Sequence, residues 1–283
     1  MSSNEISKEN NVVNSMTTDK FDIDKEMINA WKDELSKLPK KYHSTDTTTS
    51  CLKVHIYENT FQSVLKSNGD IQCLVSPANN FGLMDGGIDY YISEYYGGVH
   101  NLIPVVQKRI ERNWCGEQNV GSCLLVDVRD LVDGLKKKEN VQKNYPSYIA
   151  HCPTMRIPKK IKSDDIVYRC TWAMLTSIRK HNLKILESNN GGGSKKHECI
   201  KNVLSAGFGT GTGRFPAKLC AKQMLLAVQN FIECPANNNA FGDDGNDGPT
   251  TTKNYKYEES DLLVQWSYAR KVEDSVQSLL QKE

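Results

Sequence analysis

The chain has 283 residues with 36 Lys and Arg against 34 Asp and Glu, a net charge of +2, and 38% hydrophobic residues. This length suits one large domain or two small ones, and so balanced a charge argues against a dedicated nucleic-acid binder, whose charge would be one-sided. No apolar run is long enough to cross a bilayer, and the nine scattered cysteines, an odd number with no C-x-x-C pair, fit reduced thiols of the cytosol or nucleus rather than a disulfide framework.

Residues 1–20 are rich in Ser, Asn and Thr, contain Glu5 and Glu9, and lack the apolar core of a signal or transit peptide. They are predicted to be a disordered tail. Asp24 is placed to cap a helix whose Met27, Ile28, Trp31, Leu35 and Leu38 recur at helical spacing, with Pro39 as its stop. Cys51 to Tyr57 alternates as a strand does, and Phe61, Val64 and Leu65 predict a helix before a turn at Ser67-Asn68-Gly69-Asp70.

The hydrophobic run Ile71–Val75 leads into Ser76-Pro77-Ala78-Asn79-Asn80-Phe81-Gly82-Leu83-Met84-Asp85-Gly86-Gly87-Ile88-Asp89. A strand that ends in paired amides, turns through paired glycines and starts a helix with a carboxylate has the chemistry of a phosphate-and-sugar site. Backbone N–H groups at such a helix start attract anions, and the amides can bond hydroxyls.

A helical face with Ile92, Tyr95 and Tyr96 follows, ending at Gly97-Gly98. Next comes a helix with Leu102, Val105, Val106, Ile110 and Trp114, and then a short apolar strand from Gly121 to Val128. Lys136-Lys137-Lys138 reads as a solvated loop. Tyr148 to Cys152 is another strand, and Asp164 or Asp165 opens a helix through Val167, Cys170, Trp172, Met174, Leu175 and Ile178.

Asn189 to Lys196 reads as a glycine-rich surface insertion, and His197 and Cys199 beside it have no partner pair that would make a metal site. Ile200 to Ser205 is a buried strand by content. It runs into Gly207-Phe208-Gly209-Thr210-Gly211-Thr212-Gly213, and a helix covers about Ala217 to Phe231. Residues 236–256 form a long polar loop, flexible or functional by its length. A last amphipathic helix carries Leu262, Leu263, Trp266, Val272, Val276, Leu279 and Leu280. Strands alternating with helices define an α/β class with a largely parallel sheet between helical layers.

In such sheets ligands bind beyond the carboxyl ends of the strands. The Asn79–Asp89 loop, the exit at His151-Cys152-Pro153-Thr154 and the Gly207–Gly213 loop all leave strands there. The glycine loop misses the dinucleotide fingerprint because Thr212 stands where glycine is required, and it misses the P-loop because Arg214 and Phe215 follow Gly213. Its alternating glycines can still turn N–H groups around a diphosphate, or form a plain turn. Asp89 is open to three readings: helix cap, ribose contact or catalytic carboxylate. Asn79 and Asn80 double as turn residues, His151 as a satisfied core histidine, and Arg214 as either a phosphate clamp or a solvent-facing arginine.

Together these segments resemble the macro domain family, in particular a branch with fungal and phage-associated members whose first loop reads much like Ser76-Pro77-Ala78-Asn79 through Asp85-Gly86-Gly87-Ile88-Asp89. Val105–Arg109, Gly121–Val126, Pro153–Pro158, Gly207–Gly213 and Ala221–Met224 carry the resemblance further, over roughly Val54 to Phe231.

The resemblance implies a three-layer α/β/α macro domain with a mixed, largely parallel sheet. It would occupy residues 21–283 as a single domain, with an N-terminal helix, the 236–256 loop and a C-terminal helix. It implies ADP-ribose or ADP-ribose 1''-phosphate as ligand and no metal or cofactor. Asn79, Asp89 and His151 match the positions associated with removal of the 1''-phosphate, a by-product of tRNA splicing. His151, or Asp89 through a water, would be the general base.

Asn80, Gly86, Gly87 and Ile88 on one side, and Gly207, Phe208, Gly209, Thr210, Gly211, Thr212 and Gly213 on the other, would line the ligand. Asp85 and Ser76 depart from the family's glycine and asparagine. The family's adenine-binding aspartate has no match, and Glu58 or Asn59 stands near its place. A binding module without turnover and a mono-ADP-ribosyl hydrolase are the alternatives.

Overall fold

The computed structural model describes residues 17–22, 24–43, 52–139, 143–162, 164–190, 198–234 and 266–281. The 236–256 loop, most of the glycine-rich insertion, and Leu262 and Leu263 lie outside the described residues. Six strands form one sheet: β1 (Thr17–Asp22), β2 (Lys53–Glu58), β3 (Cys73–Ser76), β4 (Leu124–Asp127), β5 (Tyr148–His151) and β6 (Asn202–Ser205). Their order is β2-β1-β6-β3-β5-β4, and every pair is parallel except the edge pair β4–β5.

Eight α-helices are described: α1 (Lys25–Ser36), α2 (Phe61–Ser67), α3 (Gly87–Tyr95), α4 (Val99–Trp114), α5 (Arg129–Glu139), α6 (Ile166–Asn190), α7 (Ala217–Glu233) and α8 (Trp266–Leu280). They lie on both faces of the sheet. Period-two alternation within each strand explains this: Cys73, Val75, Tyr148, Ala150 and Val203 point into one core with α1, α6 and α7, while Leu74, Ile149 and Leu204 point into the other with α2, α3 and α4. Asp24 caps α1 by accepting from the Glu26 amide, as expected, and Thr60 caps α2 through the Ser63 amide.

Three expectations are corrected. Lys136, Lys137 and Lys138 are exposed as predicted but form the last turn of a helix, α5, whose buried Val132 and Leu135 supply its apolar face. The helix after Asp165 continues past Ile178 to Asn190, which takes up the start of the expected insertion. β1, which pairs with both β2 and β6, begins at Thr17, inside the segment expected to be a tail. Its polar sequence, Thr-Thr-Asp-Lys-Phe-Asp, carries no alternation to reveal it.

Candidate functional site

The carboxyl ends of β2, β3, β5 and β6 open onto one cleft of about 620 Å³, within the range of small-molecule sites. Its first wall is laced to the exit of β5. Cys152 N donates to Ser76 O, Ala78 N to Cys152 O, Thr154 N to Ala78 O and Asn80 N to Met155 O, so the two chains go on pairing past the ends of their strands. Asn79 lines the cleft, and its side chain braces its own loop. Oδ1 accepts from the amides of Phe81 (3.0 Å) and Leu83 (3.3 Å), and Nδ2 donates to Leu83 O (2.8 Å). One amide hydrogen remains for a ligand.

At the start of α3, Gly86 brings no side-chain cap and Gly87 takes a left-handed φ of 59°. The first-turn N–H groups of a helix have no partner within it, and here they open on the cleft beside Gly86, Gly87 and Ile88, all of which line it. Asp89, in the same turn, lines the cleft yet is only 5% exposed. It does not cap the helix. Its Oδ1 accepts from the buried Ser76 hydroxyl at 2.8 Å. Burial pushes the Asp89 carboxyl up to about 7, with a contribution from the nearby Asp85 charge, while the Ser76 bond pulls the other way. Nothing in the sequence pairs Ser76 with Asp89, thirteen residues apart. Only the packing of α3 over the end of β3 brings them together.

The second wall is the glycine loop. A Cβ on Gly213 would lie 2.4 Å from the Gly209 carbonyl oxygen, and one on Gly209, at φ 70°, would lie 2.6 Å from Ile161 Cδ1. These glycines are required because the loop folds tightly on itself and on Ile161, whose amide donates to Gly213 O. Among the described residues, the amides of Thr210, Gly211, Thr212 and Gly213 take no part in the loop's backbone hydrogen bonds and are free to meet an anion. The walls nearly touch at mid-cleft, where a Cβ on Gly87 would stand 4.0 Å from Thr212 Oγ1.

Four predicted residues lie elsewhere. His151 is fully buried and does not line the cleft: Nδ1 bonds Gln118 Oε1 at 2.7 Å, Nε2 has no hydrogen-bond partner, and burial pushes its pKa down to about 3. An imidazole whose pKa burial lowers to about 3 is a weak proton acceptor, and this one is closed off from the cleft. Asn80 is not part of the lining: its side-chain Nδ2 donates to Glu117 Oε1 at 3.2 Å and its backbone N–H to Met155 O. Phe208 is fully buried against the α1 and α7 core. Arg214 is exposed with a φ of 48° and is not part of the lining.

Gly207, Gly209, Thr210, Gly211, Thr212 and Gly213 do line the cleft, and so do several residues that sequence reasoning passed over, among them Thr60, Gln62, Tyr91, Met155 and Pro158. Among the described residues no group of three or more His, Cys, Asp or Glu side chains is arranged to hold a metal ion.

The class is therefore a mixed α/β fold with helices on both faces of the sheet and a two-walled cleft at its strand ends. The model of the Macro-like domain family matches residues 10–238, and the chain belongs to that family, an ADP-ribose-binding fold. An uncharacterized protein of Aquifex aeolicus (strain VF5) is 28% identical over 164 residues, 57% of this chain and 75% of that protein. The macrodomain of Mycobacterium tuberculosis DarG superposes with a TM-score of 0.40 at 18% identity, covering 58% of this chain and 84% of its own.

Proposed function

We propose that the cleft binds ADP-ribose 1''-phosphate and hydrolyses it to ADP-ribose and phosphate, with Asp89 as the acid–base group. The observation that carries this reading is Asp89: a carboxyl in the cleft wall, buried, and poised near 7. A group balanced at the working pH both takes and returns a proton efficiently.

In this reading the diphosphate lies between the Gly86–Ile88 amides and those of Thr210–Gly213, whose N–H groups also stabilise charge developing on the leaving phosphate. The spare Asn79 amide hydrogen holds a hydroxyl of the distal ribose. Asp89 takes a proton from the water that attacks C1'', the C1''–O bond breaks, and the proton passes to the departing phosphate, while the Ser76 bond fixes Oδ1. The Asn59–Gln62 end of the cleft is left for the base.

Resemblance to the fungal and phage-associated branch supports the tRNA-splicing by-product as substrate, and the reduced-cysteine composition supports a cytoplasmic or nuclear setting. The packing of α8 on α7, and of β1 within the sheet, supports reading the chain from Thr17 through α8 as one domain.

The test pairs calorimetric titration of ADP-ribose with phosphate release from ADP-ribose 1''-phosphate. Asp89→Asn is expected to keep binding within a few-fold and to lose release by at least a hundredfold. Full turnover by Asp89→Asn refutes the assignment. One observation favours a second reading: His151 does not reach the cleft, so no histidine stands in the lining with Asp89. A module that binds ADP-ribose or ADP-ribosylated protein without turnover, or one that removes ADP-ribose from protein, is indicated if the wild type binds and releases no phosphate. Assay on modified protein then separates those two.

A further inference from the structure

The end of the cleft formed by Asn59, Thr60, Phe61 and Gln62 has its own chemistry. Asn59 Oδ1 accepts from the Thr60 amide at 2.9 Å, so Asn59 presents its Nδ2 as a donor. The Thr60 hydroxyl is committed to Ser63. Gln62 is exposed, and its amide both donates and accepts. Among the described residues the carboxylates in the lining are Asp85 and Asp89 of the first loop, and Glu58 is paired with Lys32 outside the lining.

Tyr91 lines the cleft with its ring 58% exposed. It stands one helical turn before Tyr95, on the same helical face, and the Tyr95 ring packs edge-on against Phe61 with centroids 5.5 Å apart.

We infer that this end holds a base by stacking on Tyr91 and reads its edge weakly, so that the cleft takes hypoxanthine in place of adenine with little loss. The inference rests on the ADP-ribose reading above. Strong discrimination by hydrogen bonding arises when the wrong ligand leaves buried polar groups unpaired. Asn59 and Gln62 are exposed, so water pairs whatever a mismatched edge leaves open. Their amides also suit either edge: the Asn59 donor meets a carbonyl oxygen as readily as a ring nitrogen. Stacking adds energy without choosing a base, because every base has a π-face. The selectivity of the cleft therefore resides in the diphosphate and the distal ribose.

Calorimetric titration of the full chain with ADP-ribose and with its hypoxanthine analogue, IDP-ribose, tests this. The two Kd values are expected to agree within about tenfold, and Tyr91→Ala is expected to weaken both by a similar factor, about tenfold or more. Asn59→Ala and Gln62→Ala should change the ratio of the two by less than about threefold. ADP-ribose binding with a hundredfold or greater preference over IDP-ribose overturns the inference and leaves the ADP-ribose reading standing. Tyr91→Ala that weakens neither ligand overturns the stacking. Failure of both ligands to bind removes the ADP-ribose reading itself.

Discussion

Replacing Asp89 by Asn changes how stability depends on pH. In the fold the carboxyl titrates near 7, against an ordinary 3.8. A carboxyl raised in the folded state binds its proton more tightly there than in the unfolded chain. The fold therefore loses stability as pH rises from about 4 to about 7, and no further above that. At about 1.4 kcal/mol per pH unit, the raised Asp89 carboxyl costs the fold about 4 kcal/mol above pH 7, where it is ionised, and about 1 kcal/mol at pH 4.5, where the fold must protonate it.

Asparagine keeps an oxygen for the Ser76 hydroxyl and carries no charge. Asp89→Asn is therefore expected to gain about 3 kcal/mol on the wild type between pH 4.5 and pH 8.5. Urea unfolding of both proteins at the two pH values measures this difference. Any constant offset from an altered Ser76 bond cancels, and so does the titration of His151, which both proteins share. A wild-type-to-variant difference that is flat across that window would mean that Asp89 titrates as an exposed carboxyl, and would remove the basis for its acid–base role.

Turnover of ADP-ribose 1''-phosphate is expected to rise with pH through about 7 as Asp89 ionises, and a rate unchanged from pH 5.5 to 8.5 would exclude it as the base. Gly213→Ala forces a Cβ against the Gly209 carbonyl and should cost about 1–3 kcal/mol, with at least a tenfold loss of ADP-ribose affinity. Gly211→Ala, where a Cβ meets nothing within 4 Å, should stay within about 0.5 kcal/mol, and equal melting shifts for the pair would refute the packing argument. His151→Ala should lose about 2–4 kcal/mol of stability by opening a void and stranding Gln118, with the ADP-ribose Kd nearly unchanged. His151 contributes a slope opposite to that of Asp89: relative to His151→Ala, the wild type should lose up to about 5 kcal/mol as pH falls from 6.5 toward 3, because only the unfolded chain readily protonates His151. That slope should be absent from His151→Ala.

Much of this architecture is legible one segment at a time. The spacing of Met27, Ile28 and Trp31 marks α1, the run before Ser76 marks β3, and the glycines after β3 and β6 mark the two walls of the cleft. Each is a local signal, set by the 3.6-residue period of a helix, the two-residue period of a strand, or the positive φ that glycine permits at Gly87 and Gly209. β1 escapes such reading because it forms by pairing with β2 and β6 on both sides, a stabilisation that its own residues do not display. α5 was hidden by its lysines, although Val132 and Leu135 carry its buried face.

The roles within the site divide along the same line. The sequence by itself determined the α/β class, the family, and the two glycine loops that wall the cleft, because residue type and spacing suffice for those. Tertiary structure alone decided which side chains line that cleft. Register sets Ser76 beside His151 in the sheet, α3 brings Asp89 onto Ser76, and Gln118 holds His151 beneath the wall. The same packing turns Asn80 and Phe208 away from the cleft. The physical reason is burial. A carboxyl raised to about 7 and an imidazole lowered to about 3 owe those values to the loss of water around them, and which groups lose their water is decided only when distant segments close over one another.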